Sequence, residues 1–304
     1  HYYKPSVDFK VKVNLKVKFF LKKLLPSIFS SGVTQINILI GTIIASFEAG
    51  AVSYLYYADR IYQINLAIAG IAIGTVALPE LTKKIKIRNW NEAYNIQNKA
   101  LELCMLLSVP ACFGLIIASK EITNALFGYG SFVEKDVILT ASALKYFGYG
   151  VPAFALIKVL SNFFFARDNT KTPFYISFFS VFLNIAISII YFKKIGFLII
   201  PIATSIATWS AVIIYLIILI KLKYFTTKQH FVINIIKIVV SSLIVSLGLY
   251  CLLSFFEDKL IYSNYYKSVY LIIIIFLVTS AYLMITRVLG VFKIKNFKIN
   301  KKNE

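Results

Sequence analysis

Long uncharged apolar runs alternate with short charged or polar breaks along this chain. Read from charge to charge, the runs extend from Lys23 to Glu48, Arg60 to Glu80 and Glu102 to Lys120. A fourth spans about Val137 to Ala166 and carries Lys145 and Lys158 inside it. The rest run from Pro173 to Phe192, Gly196 to Ile220, Lys237 to Glu257 and Lys267 to Arg287. Most hold about 17–25 uncharged residues, enough for a helix across about 30 Å of bilayer hydrocarbon. They are apolar on every face and lack the period-two alternation of a barrel strand, the other structure able to cross lipid. The pattern therefore predicts an all-α integral membrane protein with about eight transmembrane helices.

Charge adds an orientation. Lys and Arg total 23 in residues 1–23, 83–99, 167–171, 221–228 and the tail from Arg287, against seven in the intervening breaks. The excess places both ends in the cytoplasm. An even number of spans independently requires both ends on one side. Residues 1–23 read as a basic cytoplasmic linker along anionic headgroups, despite a strand-like alternation from Ser6 to Phe19, and 290–304 as a basic cytoplasmic tail. His1 and the absence of a signal peptide suggest a chain that begins partway through a longer protein.

Composition excludes several classes. With 59% hydrophobic residues and a formal charge of +20, the chain needs lipid around it. Its lysines lie between apolar runs rather than on one soluble face, which argues against nucleic-acid binding. Cys104, Cys112 and Cys251 lie in apolar runs at spacings that fit neither a disulfide framework nor zinc. No metalloprotease, serine-hydrolase or phosphate-loop motif occurs, so neither an enzyme nor a cofactor is expected.

The candidate chemistry lies in the polar residues at the spans. Asp59 and Arg60 stand where the second run begins, behind Tyr54, Tyr56 and Tyr57. Helix neighbours point about 100° apart, so the two ions are available to other partners rather than to each other. Two readings follow: an anchor at the outer headgroup boundary, or an arginine turned into a cavity where its fork grips a phosphate or pyrophosphate. Lys145 and Lys158 lie roughly 20 Å apart on different faces of one helix. Lys158 is too deep to snorkel comfortably and is assigned to a polar cavity, with Asn162 one turn away. In "FFFARDNTKTP", Asp168 or Asn169 suits an Asx turn and Thr172–Pro173 a helix start. Arg167 and Lys171 complete a tight cytoplasmic hairpin. Gln35, Asn37, Asn184 and Trp209 suit interhelical hydrogen bonds, and Gly70 and Gly74 close helix packing. Between the third and fourth runs, Gly128 and Gly130 break the helix and leave a short external hairpin or half-helix.

The segments "LPSIFSSGVTQINILIGTIIASF", "SYLYYADRIYQINLAIAGIAIGTVALPELTKK", "ALFGYGSF" and "FFFARDNTKTP" occur in this order. Together they resemble the MurJ/MviN lipid II flippases of the multidrug/oligosaccharidyl-lipid/polysaccharide exporter superfamily, over nearly the whole chain. The resemblance implies a C-terminal six-helix lobe at 24–220 and two additional helices at 231–289 forming a lipid-tail groove. It implies alternating access with an undecaprenyl-pyrophosphate-linked peptidoglycan precursor as substrate, in the bacterial inner membrane. It assigns substrate binding to Arg60 of the "ADR" motif and adds weight to Lys158; the residue reading groups Asp59 and Asn162 with them as candidate substrate-binding residues, and Arg167, Asp168, Lys171, Thr172 and Pro173 as a motif or hinge. Two departures stand out. The N-terminal six-helix lobe of such proteins is a missing partner, and without it the cycle is incomplete. Some relatives carry a sodium-site acid near Gly41; this chain does not, so no metal site is carried over. The competing readings are a polysaccharide-lipid flippase or drug exporter of the same superfamily, and a non-transporting orphan half.

Overall fold

The computed structural model describes residues 35–291. The expected linker at 1–23 and nearly all of the tail at 290–304 lie outside the described residues. Within them the structure is helical, with no strand. Helix α1 is described over Gln35–Ala45. Then follow α2 (Ala51–Leu66), a π-helical turn (Ala67–Ala72) and α3 (Ile73–Lys86), which form one continuous helical run. Beyond it lie α4 (Trp90–Ile117), α5 (Ser119–Phe127), α6 (Glu134–Phe165), α7 (Lys171–Ile195) and α8 (Ile199–Lys221). The last elements are α9 (Gln229–Phe255), the single turn α10 (Glu257–Leu260) and α11 (Lys267–Val288).

Among the described residues, six apolar helical stretches are long enough to cross a membrane. One of them, Lys171–Lys221, breaks at Gly196 (φ 74°) into α7 and α8, and α1 is the described part of the expected first span. The helices outrun the uncharged runs, because charges near the ends of a span stay helical beyond the hydrocarbon. The differences are largest at Glu102, twelve residues inside α4, and at Arg60. The charge-to-charge reading made Arg60 a boundary, whereas it lies nine residues inside the run that begins at Ala51.

Helix α6 is the axis of the lobe. Small residues such as Ala141, Ala143, Ala153 and Ala155 let α2, α4, α5 and α8 approach it closely. A Cβ on Gly70 would stand 3.0 Å from the Ala155 Cα, so the π turn touches the α6 backbone directly. Two apolar cores form on α6. One, at the Leu81–Leu101–Phe163–Tyr215 end, holds the 222–228 loop through Phe225; the other surrounds Ala58, Ile61, Leu144 and Phe147. Helices α9 and α11 pack on α4 and α5 through smaller cores around Ile238, Val245 and Tyr282 and around Leu249, Leu253 and Leu271.

Polar side chains close the lobe at both ends. At one end Glu48 accepts from the Phe197 backbone N–H (2.8 Å) and so fixes the α7–α8 turn. There too Tyr54 donates to Asp136 (2.9 Å), whose other oxygen caps the start of α6. Within the bundle Asn184 donates to Asn37 and Thr204, and Trp209 to the Tyr149 carbonyl, as expected for interhelical bonds. Cys104 is a buried apolar filler, but Cys251 is exposed on α9.

Candidate functional site

Arg60 belongs to a stripe set by helical spacing. Tyr56, Arg60, Ile64, Ile68 and Ile71 recur every three or four residues and all are exposed. Arg60 is the one charge in that row. Its Nη2 donates to the Tyr56 hydroxyl at 3.0 Å, and the guanidinium carbon lies 4.6 Å from the Tyr56 ring centroid. A guanidinium carries five N–H donors, so most of its capacity is unspent. An arginine in this position would cost at least about 2.5–3.5 kcal/mol if it faced lipid at mid-span.

Asp59 turns the other way. It is half-buried, accepts from Gln63 one turn on, and lies beside the Tyr62 hydroxyl. The Tyr62 ring packs 5.0 Å from Phe154 and 4.8 Å from Phe147 on α6. The carboxylate is thus absorbed into the α2–α6 contact, while the neighbouring guanidinium is presented outward. The structure does not bring the two together around one ligand.

Lys158 is exposed on α6 and makes no side-chain hydrogen bond among the described residues. Asn162, one turn away, is already committed: its Nδ2 donates to the Gly74 carbonyl at 2.8 Å. That bond ties α3 to α6 just beyond the π turn. Gly74 is level with this part of α6 and fourteen residues beyond Arg60, so Arg60 and Lys158 are separated by about 20 Å along the bundle. Arg60 and Lys158 therefore mark different depths of the lobe.

The 166–172 motif closes on itself. Arg167 donates to the Phe163 carbonyl (2.7 Å) and to the Tyr224 carbonyl (2.8 Å), and lies 4.5 Å from the centre of the Tyr224 ring. Burial pulls its pKa below the usual guanidinium value. Asp168 takes the left-handed conformation (φ 57°) that the tight turn needs. Of the two Asx candidates, Asn169 accepts from the Thr172 backbone N–H at 3.0 Å and donates to its hydroxyl at 2.9 Å. Pro173 is buried in the first turn of α7, where no N–H is required, and Lys171 is exposed. Tyr94 and Asn98 also donate to the 222–228 loop, at the carbonyls of Lys223 and Thr226.

Several site neighbours escape a charge-to-charge reading. Tyr56 and Gln63 are i,i+4 partners of Arg60 and Asp59, visible once Ala51–Lys86 is treated as one helix. Nothing in the sequence marks Lys267, which is buried and 1% exposed. A cavity of about 350 Å³ lies between α5, α6, α9 and α10, lined by Lys120, Glu121, Asn124, Glu134, Glu257 and Tyr262 among others; Arg60 is not part of it. Among the described residues no group of three or more His, Cys, Asp or Glu side chains is placed to hold a metal ion.

A helical lobe centred on one small-residue helix, with hairpin loops tied together at each end, has the fold of an integral membrane transporter. A solved outward-facing multidrug resistance MATE family transporter of the MOP superfamily shares it, with a TM-score of 0.57 at 16% identity over 77% of this chain and 53% of that one. More specifically, the family profile described as lipid II flippase MurJ matches residues 4–285, and the chain belongs to that family. It is 41% identical over 214 residues to the probable lipid II flippase MurJ of Rickettsia prowazekii, covering 70% of this chain and 41% of the relative. The structure of a lipid II flippase MurJ in an inward closed conformation matches with a TM-score of 0.72 at 27% identity, covering 93% of this chain and 58% of that one. The chain thus spans well under two thirds of the length of these relatives.

Proposed function

We propose that this chain is the C-terminal part of a lipid II flippase, and that Arg60 contacts the pyrophosphate of the lipid-linked substrate. The observation that carries the reading is the exposed guanidinium, well inside a continuous membrane helix, on a face that no other described part of the chain covers. A bare pyrophosphate in hydrocarbon faces a prohibitive solvation cost. A watery cleft lined by fixed cations replaces the lost hydration while the polyprenyl tail stays in lipid. Arg60 near one end and Lys158 about 20 Å away would offer such cations at two depths, as alternating access requires. Asp59 and Asn162, expected in the same site, serve it by holding α2 and α3 against α6.

The cleft needs a second wall. The partner is an N-terminal six-helix lobe, a reading supported by the 41% of the Rickettsia relative that this chain covers. Both termini are assigned to the cytoplasm of the bacterial inner membrane. The loops at 166–170 and 222–228, joined by Arg167, carry basic residues and lie at one end; the loops closed by Glu48 and Lys267 lie at the other. A negative interior then favours outward movement of the anionic head. Helices α9 and α11 would hold the lipid tail in a groove. The hairpin from Arg167 to Pro173 acts as a fixed cytoplasmic clasp.

The test is rescue of a bacterium depleted of its own lipid II flippase. The chain is expressed alone and with the N-terminal lobe of a relative. Rescue is expected only with both lobes, and Arg60→Ala is expected to abolish it while membrane expression persists. Rescue that survives Arg60→Ala removes the site assignment. Absence of rescue in every combination favours a non-transporting half.

A further inference from the structure

We propose that Lys267 is a positioning residue for Arg60, coupling the α9–α11 pair to the candidate substrate site; this rests on the reading of Arg60 given above. Lys267 opens α11 and is 1% exposed. Its ammonium donates to the Gly128 carbonyl at 2.6 Å and the Tyr262 carbonyl at 2.8 Å. The rings of Tyr129 and Tyr262 lie 4.2 and 4.6 Å from the nitrogen. Among the described residues no carboxylate pairs with it. Burying an ammonium is costly, and two carbonyl dipoles and two ring faces offset that cost only in this geometry. A leucine would fill the space with no such cost. The ammonium instead fixes where the turn after α5 sits.

Four further bonds hold that turn to the same unit. Ser268 donates to the Ala125 carbonyl (2.7 Å), and its hydroxyl meets that of Tyr129 (2.6 Å). Tyr262 donates to the Phe132 carbonyl (2.8 Å), and Asn124 to the Leu260 carbonyl (2.9 Å). The turn in its own right presents Phe127 and Phe132, whose ring centroids lie 4.8 and 5.3 Å from that of Tyr57. Tyr57 packs against Tyr56 (6.1 Å), and Tyr56 holds Arg60. A continuous path of packed rings and hydrogen bonds therefore runs from the start of α11 to the guanidinium.

The test uses the full chain in membranes, with the native cysteines replaced and a single cysteine at position 60 (Arg60→Cys) or, as a distant control, at 158 (Lys158→Cys). Mixed-disulfide formation with a membrane-impermeant methanethiosulfonate, with methanesulfinate as the leaving group, reports water access. Lys267→Met is expected to change the rate at 60 by about fivefold or more and leave the rate at 158 unchanged, while Lys267→Arg stays near the parent. Equal shifts at both positions indicate general loosening and overturn the proposal, as does an unchanged rate at 60. If Lys267→Met does not fold, Tyr57→Leu decides: it cuts the path where the Phe127 and Phe132 contacts converge and must shift 60 alone. Failure of the flippase reading would appear in the rescue assay and leave these rates untouched.

Discussion

Arg60 and Arg167 both sit in sequence motifs that suggest function, yet the two ends of the lobe use them in opposite ways. Arg167 gives hydrogen bonds to two carbonyls, from α6 and from the 222–228 loop, and stacks on Tyr224. Arg60 gives one bond to a tyrosine on its own helix and is otherwise exposed. A cation whose donors end on carbonyls of its own chain stabilises the fold. A cation whose donors remain free at membrane depth is a cost to the fold, and such a cost is retained where a ligand repays it. The same contrast separates Asn162, tied to Gly74, from Lys158, which has no bond.

The largest expected effect comes from exchanging the two arginines' fates. Arg167→Ala should destabilise the detergent-solubilised chain by about 2–3 kcal/mol, because two carbonyls lose a charged donor. Arg60→Ala should leave the unfolding midpoint at or slightly above that of the parent, because one hydrogen bond is lost and an uncompensated cation is removed. Thermal unfolding followed by tryptophan fluorescence reads both, and equal losses would erase the contrast. Next, Gly70→Val should force the π turn off Ala155 and cost about 1–3 kcal/mol, more than the same change at Gly248, where a Cβ meets no atom within 4 Å. Asn162→Ala should cost about 1 kcal/mol through one hydrogen bond, and a loss of rescue without a loss of stability would move Asn162 into the substrate site after all.

The smallest effect concerns pH. Burial raises the Glu121 carboxyl above its ordinary 4.5, and nearby Glu257 adds to the rise. The folded state then holds this proton more tightly than the unfolded state does. Its contribution to stability is complete below 4.5 and is lost as pH climbs through the raised value. Glu121→Gln should therefore raise the unfolding midpoint slightly at pH 7 and flatten its slope above 4.5. A steeper slope in that variant would refute the assignment.

Much of this architecture was legible in the residue pattern, because lipid imposes a simple rule on span length. The α6–α7 clasp was legible too, since Asn169, Thr172 and Pro173 act on backbone within a few residues of themselves. Three features were not. Asp59 and Arg60 read as a boundary because charge was taken to end a span, whereas helical hydrogen bonding continues through it from Ala51. The target of Arg167 lies 57 residues away on another loop. Lys267 counted only as a loop charge, since its partners are carbonyls and rings that have no local spacing signal. Long-range polar contacts of this kind depend on which helices become neighbours, and periodicity within one segment does not encode that.

The π turn at Ala67–Ala72 has one more consequence. It takes up one residue of phase between two halves of a single rod: the half after it is keyed to α6 through Gly74, and the half before it carries the guanidinium. Because the wider turn takes up one extra residue, deleting an alanine there would return the rod to even winding with Arg60 facing as before, whereas deleting one residue between Arg60 and the turn would swing the guanidinium by about 100° toward packed helix.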